Sequence, residues 1–119
     1  MSNIKNVAII GTGVIGTGWV IRCLAHGKKV RAYDFNLKHK KNLIKEIKRS
    51  WPFVKKMFKK KKLNLHNLSF YTNLHDALIK AEFIFECAPE NYIIKTKLMK
   101  KIGLYSVSYT HLTLPTSVI

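Results

Sequence analysis

The stretch NVAIIGTGVIGTGW, residues 6–19, sets the strongest limit on what this chain can fold into. Residues 6–11 are a short apolar run closed by glycine, the pattern of a buried strand. Glycine then occupies positions 11, 13, 16 and 18. From Val14 to His26, the residues Ile15, Trp19, Leu24 and Ala25 recur near helical spacing, and Gly27 supplies a helix stop. Residues 29–35, KVRAYDF, alternate into a second strand ending at Asp34. Strand, glycine loop, helix and strand make one βαβ unit of about thirty residues, which predicts a parallel α/β fold.

Within that unit, Gly11-Thr12-Gly13-Val14-Ile15-Gly16 is a G-x-G-x-x-G sequence that follows a strand and opens a helix. Gly11 permits a tight turn, Gly13 lets the backbone approach a pyrophosphate, and Gly16 allows close packing of helix on strand. Gly18 is expected to extend that packing. The pyrophosphate would rest on unpaired N–H groups at the positive end of the helix. Asp34 lies eighteen residues after Gly16, where a carboxylate accepts the adenine ribose hydroxyls and repels a 2′-phosphate. The cofactor expected is therefore NAD rather than NADP, although Arg31 and Lys38 lie close enough in sequence to meet a phosphate.

Further along, Ile44, Ile47, Trp51, Val54 and Phe58 form one apolar stripe within a lysine-rich segment. Pro52 lacks an N–H, so a kink or restart is expected near Ser50, which would cap a second helix. Residues 68–72 predict a third strand, 73–81 a short helix and 82–88 a fourth, buried strand. Ile93, Ile94, Leu98 and Ile102 mark another amphipathic helix. The fold expected is a Rossmann-type doubly wound parallel sheet, incomplete, of about four strands ordered 3-2-1-4.

The last eighteen residues carry no charge, against a net charge of +16 for the 119-residue chain. That break in character suggests that 107–119 are a non-native tail, similar to translated sequencing-adapter read-through; the alternative is a genuine β-strand. Residues 1–106 are then the N-terminal part of the domain. No apolar run reaches the ~20 residues of a membrane span, and the N-terminus lacks the order of a signal peptide. Cys23 and Cys87 form no metal-ligand pattern with the histidines. A cytoplasmic protein without a metal is expected.

Residues 85–98, FECAPENYIIKTKL, hold a second constellation: Glu86, Glu90 and Lys95 leave the fourth strand at spacings of four and five. Together with 9–34, this segment resembles the NAD-binding domain of the 3-hydroxyacyl-CoA dehydrogenase family. The resemblance covers roughly residues 5–104. Trp19, the SWPFVKKM segment (50–57) and Pro89 are similar to the branch of that family acting on L-carnitine. It implies that Glu90 and Lys95 contact the nicotinamide side of the cofactor. It also implies a small-molecule substrate, carnitine or a 3-hydroxyacyl-CoA, and a homodimeric full-length protein. The family's catalytic histidine and its partner glutamate are expected beyond residue 119, so the chain alone is expected to be inactive. His111 lacks their flanking motif, and Ser50 falls near a coenzyme A position that Trp51-Pro52 puts in doubt.

Twelve basic residues and one acid, Glu46, lie between Lys38 and Lys62. Such a run grips nucleic-acid phosphates in some proteins. Here the lysines lie mainly off the apolar stripe and no aromatic platform accompanies them, so a solvated helix face without specific nucleic-acid or membrane binding is expected. A non-catalytic role stays open as well, since lens crystallins occur in the family.

Overall fold

The computed structural model describes residues 4–59 and 62–87, together with the backbone of 110–113. Glycine and apolar punctuation place the elements closely: β1 is Asn6–Ile10, α1 Val14–Ala25 and β2 Lys29–Tyr33. Then come α2 (Lys38–Phe58), a 3-10 turn (Leu65–Asn67), β3 (Leu68–Tyr71), α3 (Leu74–Leu78), β4 (Phe83–Glu86) and β5 (Thr110–Thr113). The sheet order is β3-β2-β1-β4-β5, and every pairing is parallel.

This is the doubly wound arrangement. The chain winds outward from β1 through β2 to β3, then crosses to the other side of β1 at β4. The expected order 3-2-1-4 is present, with one strand more. Thr110–Thr113 lies inside the tail set aside on composition, yet it pairs alongside β4, with Thr113 opposite Glu86.

Alternation along β1 divides the core between two faces. Val7 and Ile9 join a cluster containing Val20, Cys23 and Leu24 of α1 and Leu43, Ile47, Trp51 and Val54 of α2. Ala8 and Ile10 point the other way, onto Leu74 and Leu78 of α3 and Ile84 of β4. Val7, Ala8, Ile9 and Ile10 are fully buried, as expected for a central strand covered on both sides. Trp19 of α1 stacks on Phe85 of β4 with ring centroids 4.5 Å apart, tying the first helix across the sheet.

Of the kink or restart expected near Ser50, the restart is absent: the second helix runs as one element from Lys38 to Phe58, with Pro52 inside it. Pro52 is exposed, while Ile47, Trp51 and Val54 are buried on either side of it. That shared buried stripe holds both halves to the core and outweighs the lost backbone hydrogen bond. The stripe also begins one residue early: Leu43 is buried and Ile44 only partly so. The lysines occupy the outer side, and the helix ends on Lys59 at φ 54°, whose N–H donates to the Lys55 carbonyl.

Among the described residues, no helix is long and apolar enough to cross a membrane. The predicted helix beyond Pro89 lies outside those residues.

Candidate functional site

The first turn after β1 is built by backbone conformation. Gly11 has φ +98°, a region that residues with a Cβ rarely adopt, and its N–H donates to the Tyr33 carbonyl at 2.8 Å. This bond joins the exit of β1 to the exit of β2. Thr17 Oγ1 donates to the Thr12 carbonyl at 2.9 Å and pins the loop against the first turn of α1.

The two following glycines of the motif have opposite environments. A Cβ placed on Gly16 would lie 1.7 Å from the Gly11 carbonyl oxygen, so only glycine lets α1 pack this closely. A Cβ on Gly13 would meet nothing within 4 Å, so no packing within the described chain requires glycine there. Gly18, expected to extend the close packing, does not do so: its Cβ would also meet nothing within 4 Å. Gly13 and Gly18 instead border an open cavity of about 400 Å³ between α1 and α2, with Thr12, Thr17, Asn42 and Glu46 among its lining. Val14 is largely exposed at this mouth, and Ile15 packs on the core beneath.

Helix α1 begins without a side-chain cap on Gly13 and without an acidic residue in its first turn. Helix starts are usually stabilised by one or both. Here the positive end of the dipole and its N–H groups are left to an outside acceptor, which fits the pyrophosphate of a dinucleotide. The open side of Gly13 fits the same group.

Asp34 follows β2 and is only 6% exposed. Its Oδ2 accepts hydrogen bonds from Thr12 N–H at 3.0 Å and Thr12 Oγ1 at 2.8 Å. Its Oδ1 accepts from Asn36 N–H at 3.4 Å and lies 2.6 Å from His39 Nδ1. The structure thus brings together Gly11, Thr12, Gly13 and Asp34, assigned from sequence, and adds His39. The signal for His39 was weak: a histidine five residues past Asp34, inside a lysine-rich run. Burial, and secondarily the Asp34 charge, raises the pKa of neighbouring Tyr33 above the usual phenol range.

Arg31 points away from this cluster. Its guanidinium donates to the Ala77 and Asp76 carbonyls at 3.1 and 2.5 Å and stacks over Tyr71 at 4.7 Å. It is committed to the α3 side of the sheet. Lys38 is exposed at the start of α2. Glu86 is fully buried at the end of β4, opposite Ile10 of β1. Glu90 and Lys95 lie outside the described residues.

Both cysteines are buried. Burial pushes the Cys23 thiol up to about 11, with Lys28 and Arg22 pulling weakly the other way. No group of three or more potential metal ligands occurs among the described residues.

A doubly wound sheet, a glycine turn at its carboxyl edge, an uncapped helix start and an acidic residue after β2 define a dinucleotide-binding domain of Rossmann type. Residues 6–119 match the family model described as 3-hydroxyacyl-CoA dehydrogenase, NAD binding domain, and the chain belongs to that family, whose cofactor is NAD. The L-carnitine dehydrogenase of Staphylococcus epidermidis is 36% identical over 99 residues, covering 83% of this chain and 31% of that protein. The L-carnitine dehydrogenase of Oceanobacillus iheyensis is 37% identical over 106 residues, covering 89% of this chain and 34% of that protein. The chain therefore spans about a third of the length of these relatives. Among solved structures, 3-hydroxybutyryl-CoA dehydrogenase from Escherichia coli K12 shares the fold with a TM-score of 0.74 at 24% identity, covering 96% of this chain and 23% of the other. The enzyme of that name from Ralstonia eutropha superimposes with a TM-score of 0.74 at 23% identity, covering 96% of this chain and 39% of the other.

Proposed function

We propose that this chain is the NAD-binding part of an oxidoreductase that transfers hydride from the 3-hydroxyl carbon of L-carnitine to NAD, giving 3-dehydrocarnitine. The observation that carries the cofactor half is the contact between Asp34 and Thr12, at 2.8 and 3.0 Å, beside an uncapped helix start. The carboxylate that would take the ribose and the loop that would take the pyrophosphate are joined there. The substrate half is supported by the names of the relatives, L-carnitine dehydrogenases at 36% and 37% identity.

In this reading Gly11, Thr12, Gly13, Val14, Ile15 and Gly16 form the pyrophosphate turn, with Gly11 and Gly16 shaping it and Ile15 anchoring it to the core. Asp34 holds the ribose, and Glu90 and Lys95 face the nicotinamide side. The bound nicotinamide supplies the hydride chemistry. The chain's own residues fix its position. The base that removes the hydroxyl proton is a histidine held by a glutamate, outside these 119 residues. Residues 107–119 are proposed as a non-native tail, and the whole enzyme as a cytoplasmic homodimer without specific nucleic-acid contacts. A 3-hydroxyacyl-CoA substrate is the second reading, favoured by the description of the matching family.

The test is a chimera in which residues 5–104 replace the matching segment of the Staphylococcus epidermidis enzyme. The expected result is NAD-dependent oxidation of L-carnitine by the chimera and none by the 119-residue chain alone. A folded chimera that fails to bind NAD contradicts the cofactor reading. Turnover by the chain alone contradicts the placement of the base.

A further inference from the structure

The Asp34 carboxylate is fully occupied by donors of this chain. Thr12 N–H and Thr12 Oγ1 reach Oδ2 at 3.0 and 2.8 Å, while Asn36 N–H and His39 Nδ1 reach Oδ1 at 3.4 and 2.6 Å. An ionised carboxylate has about four acceptor positions, so none is left for a further donor. A ribose diol bound to Asp34 brings hydroxyl protons of its own. At least one present donor has to leave.

The four donors differ in what their departure would disturb. Thr12 N–H and Asn36 N–H belong to the backbone of the two turns, so releasing either would remodel a loop. Thr12 Oγ1 shares its residue with the first of these. His39 is different. Its side chain is 41% exposed, and its ring meets Phe35 edge-on at 5.6 Å, a residue itself 69% exposed. Its backbone N–H already donates to the Asn36 carbonyl at 3.0 Å, so the ring can swing outward without opening the first turn of α2.

We infer that His39 competes with the cofactor's ribose for Asp34. Its Nδ1 holds the position on Oδ1 that a ribose hydroxyl takes, and NAD enters by displacing the ring. His39 is thus a residue that sets cofactor affinity from outside the reacting centre. The inference rests on the assignment of Asp34 to the ribose.

The test measures NAD affinity of the 119-residue chain by isothermal titration, for the unsubstituted protein and for His39→Leu, His39→Ala and His39→Asn, with circular dichroism checking the fold. Loss of the competing charge-assisted bond in His39→Leu and His39→Ala should tighten NAD binding by about tenfold. Asparagine keeps an amide donor in place of Nδ1, so His39→Asn should stay within about twofold of the original. Adenosine, with the same diol, should show the gain, and 2′-deoxyadenosine a smaller one. Affinity that is unchanged or weaker in both His39→Leu and His39→Ala overturns the inference while leaving the Asp34 assignment standing. Absence of NAD binding by every folded variant overturns that assignment and the inference together.

Discussion

At each edge of the sheet a carboxylate accepts backbone N–H groups beside β1, and only one of them lies beside the helix start proposed to hold the cofactor. At the amino edge, Glu82 Oε1 accepts from Lys5 N–H at 3.1 Å and Asn6 N–H at 2.9 Å. At the carboxyl edge, Asp34 accepts from Thr12 N–H and from the donors around it. Glu82 is exposed and Asp34 buried. The bonding device is the same, so it does not by itself mark function. The difference is the neighbour. Asp34 sits beside the uncapped start of α1 and the open side of Gly13, whereas Glu82 only closes the start of β4 onto the start of β1.

The contrast is broken most severely at Gly16. A methyl group 1.7 Å from a backbone oxygen has no side chain to push aside, so α1 must move off the strand. Gly16→Ala is expected to cost at least about 3 kcal/mol and to leave much of the chain unfolded, read by urea denaturation. A variant as stable as the original would show that the close approach is dispensable.

Next in size is Asp34→Ala. Removing the carboxylate should weaken NAD binding by about tenfold or more and narrow its preference over NADP, because the ribose acceptor and the repulsion of a 2′-phosphate vanish together. Equal losses for both cofactors in a competition titration would assign Asp34 to loop support alone, like Glu82.

The smallest effect is at the opposite edge. Hydrogen bonds from Asn6 N–H, Lys5 N–H and the Asn6 side chain, in that order, hold the Glu82 pKa below its ordinary value of 4.5. A folded-state pKa lowered in this way adds stability above the unfolded value, and that contribution is lost as the pH falls through the folded one. Glu82→Gln should therefore be slightly less stable than the original at pH 7, with the gap closing as the solution is acidified below 4.5. NAD affinity should not change. A gap that persists into strong acid would mean that packing, not charge, accounts for it.

The parts legible in the sequence were those fixed by backbone rules. Gly11 and Gly16 gave the β1–α1 turn because the chain needs a positive φ at the first and a close approach at the second, and Asp34 followed from the end of β2. Tertiary packing supplied what the pattern could not. Pro52 stays inside α2 because Trp51 and Val54 are both held by the core, a long-range fact invisible to a local rule. Leu43 and Ile44 are adjacent and equally apolar, so only the approach of α1 decides which is buried. Gly13 and Gly18 look alike in sequence to Gly16, and the neighbouring carbonyl of Gly11 alone separates them. His39 was concealed by the lysines around it, since its pairing depends on how α2 leaves the turn after β2. The uncharged segment at 107–119 has no helical period, and its break in charge weighed against the strand reading that the pairing of Thr110–Thr113 matches.

The central claim is that the glycine turn at the carboxyl edge binds NAD through space kept open at Gly13. It is tested most directly by titrating NAD into the 119-residue chain and into Gly13→Ala, with folding followed by circular dichroism. A methyl group at Gly13 meets nothing within 4 Å, so the variant should fold as the original does. Its NAD affinity should fall by about a hundredfold, since the methyl group takes the pyrophosphate's place against the backbone. A folded Gly13→Ala chain that binds NAD as well as the original would contradict the claim.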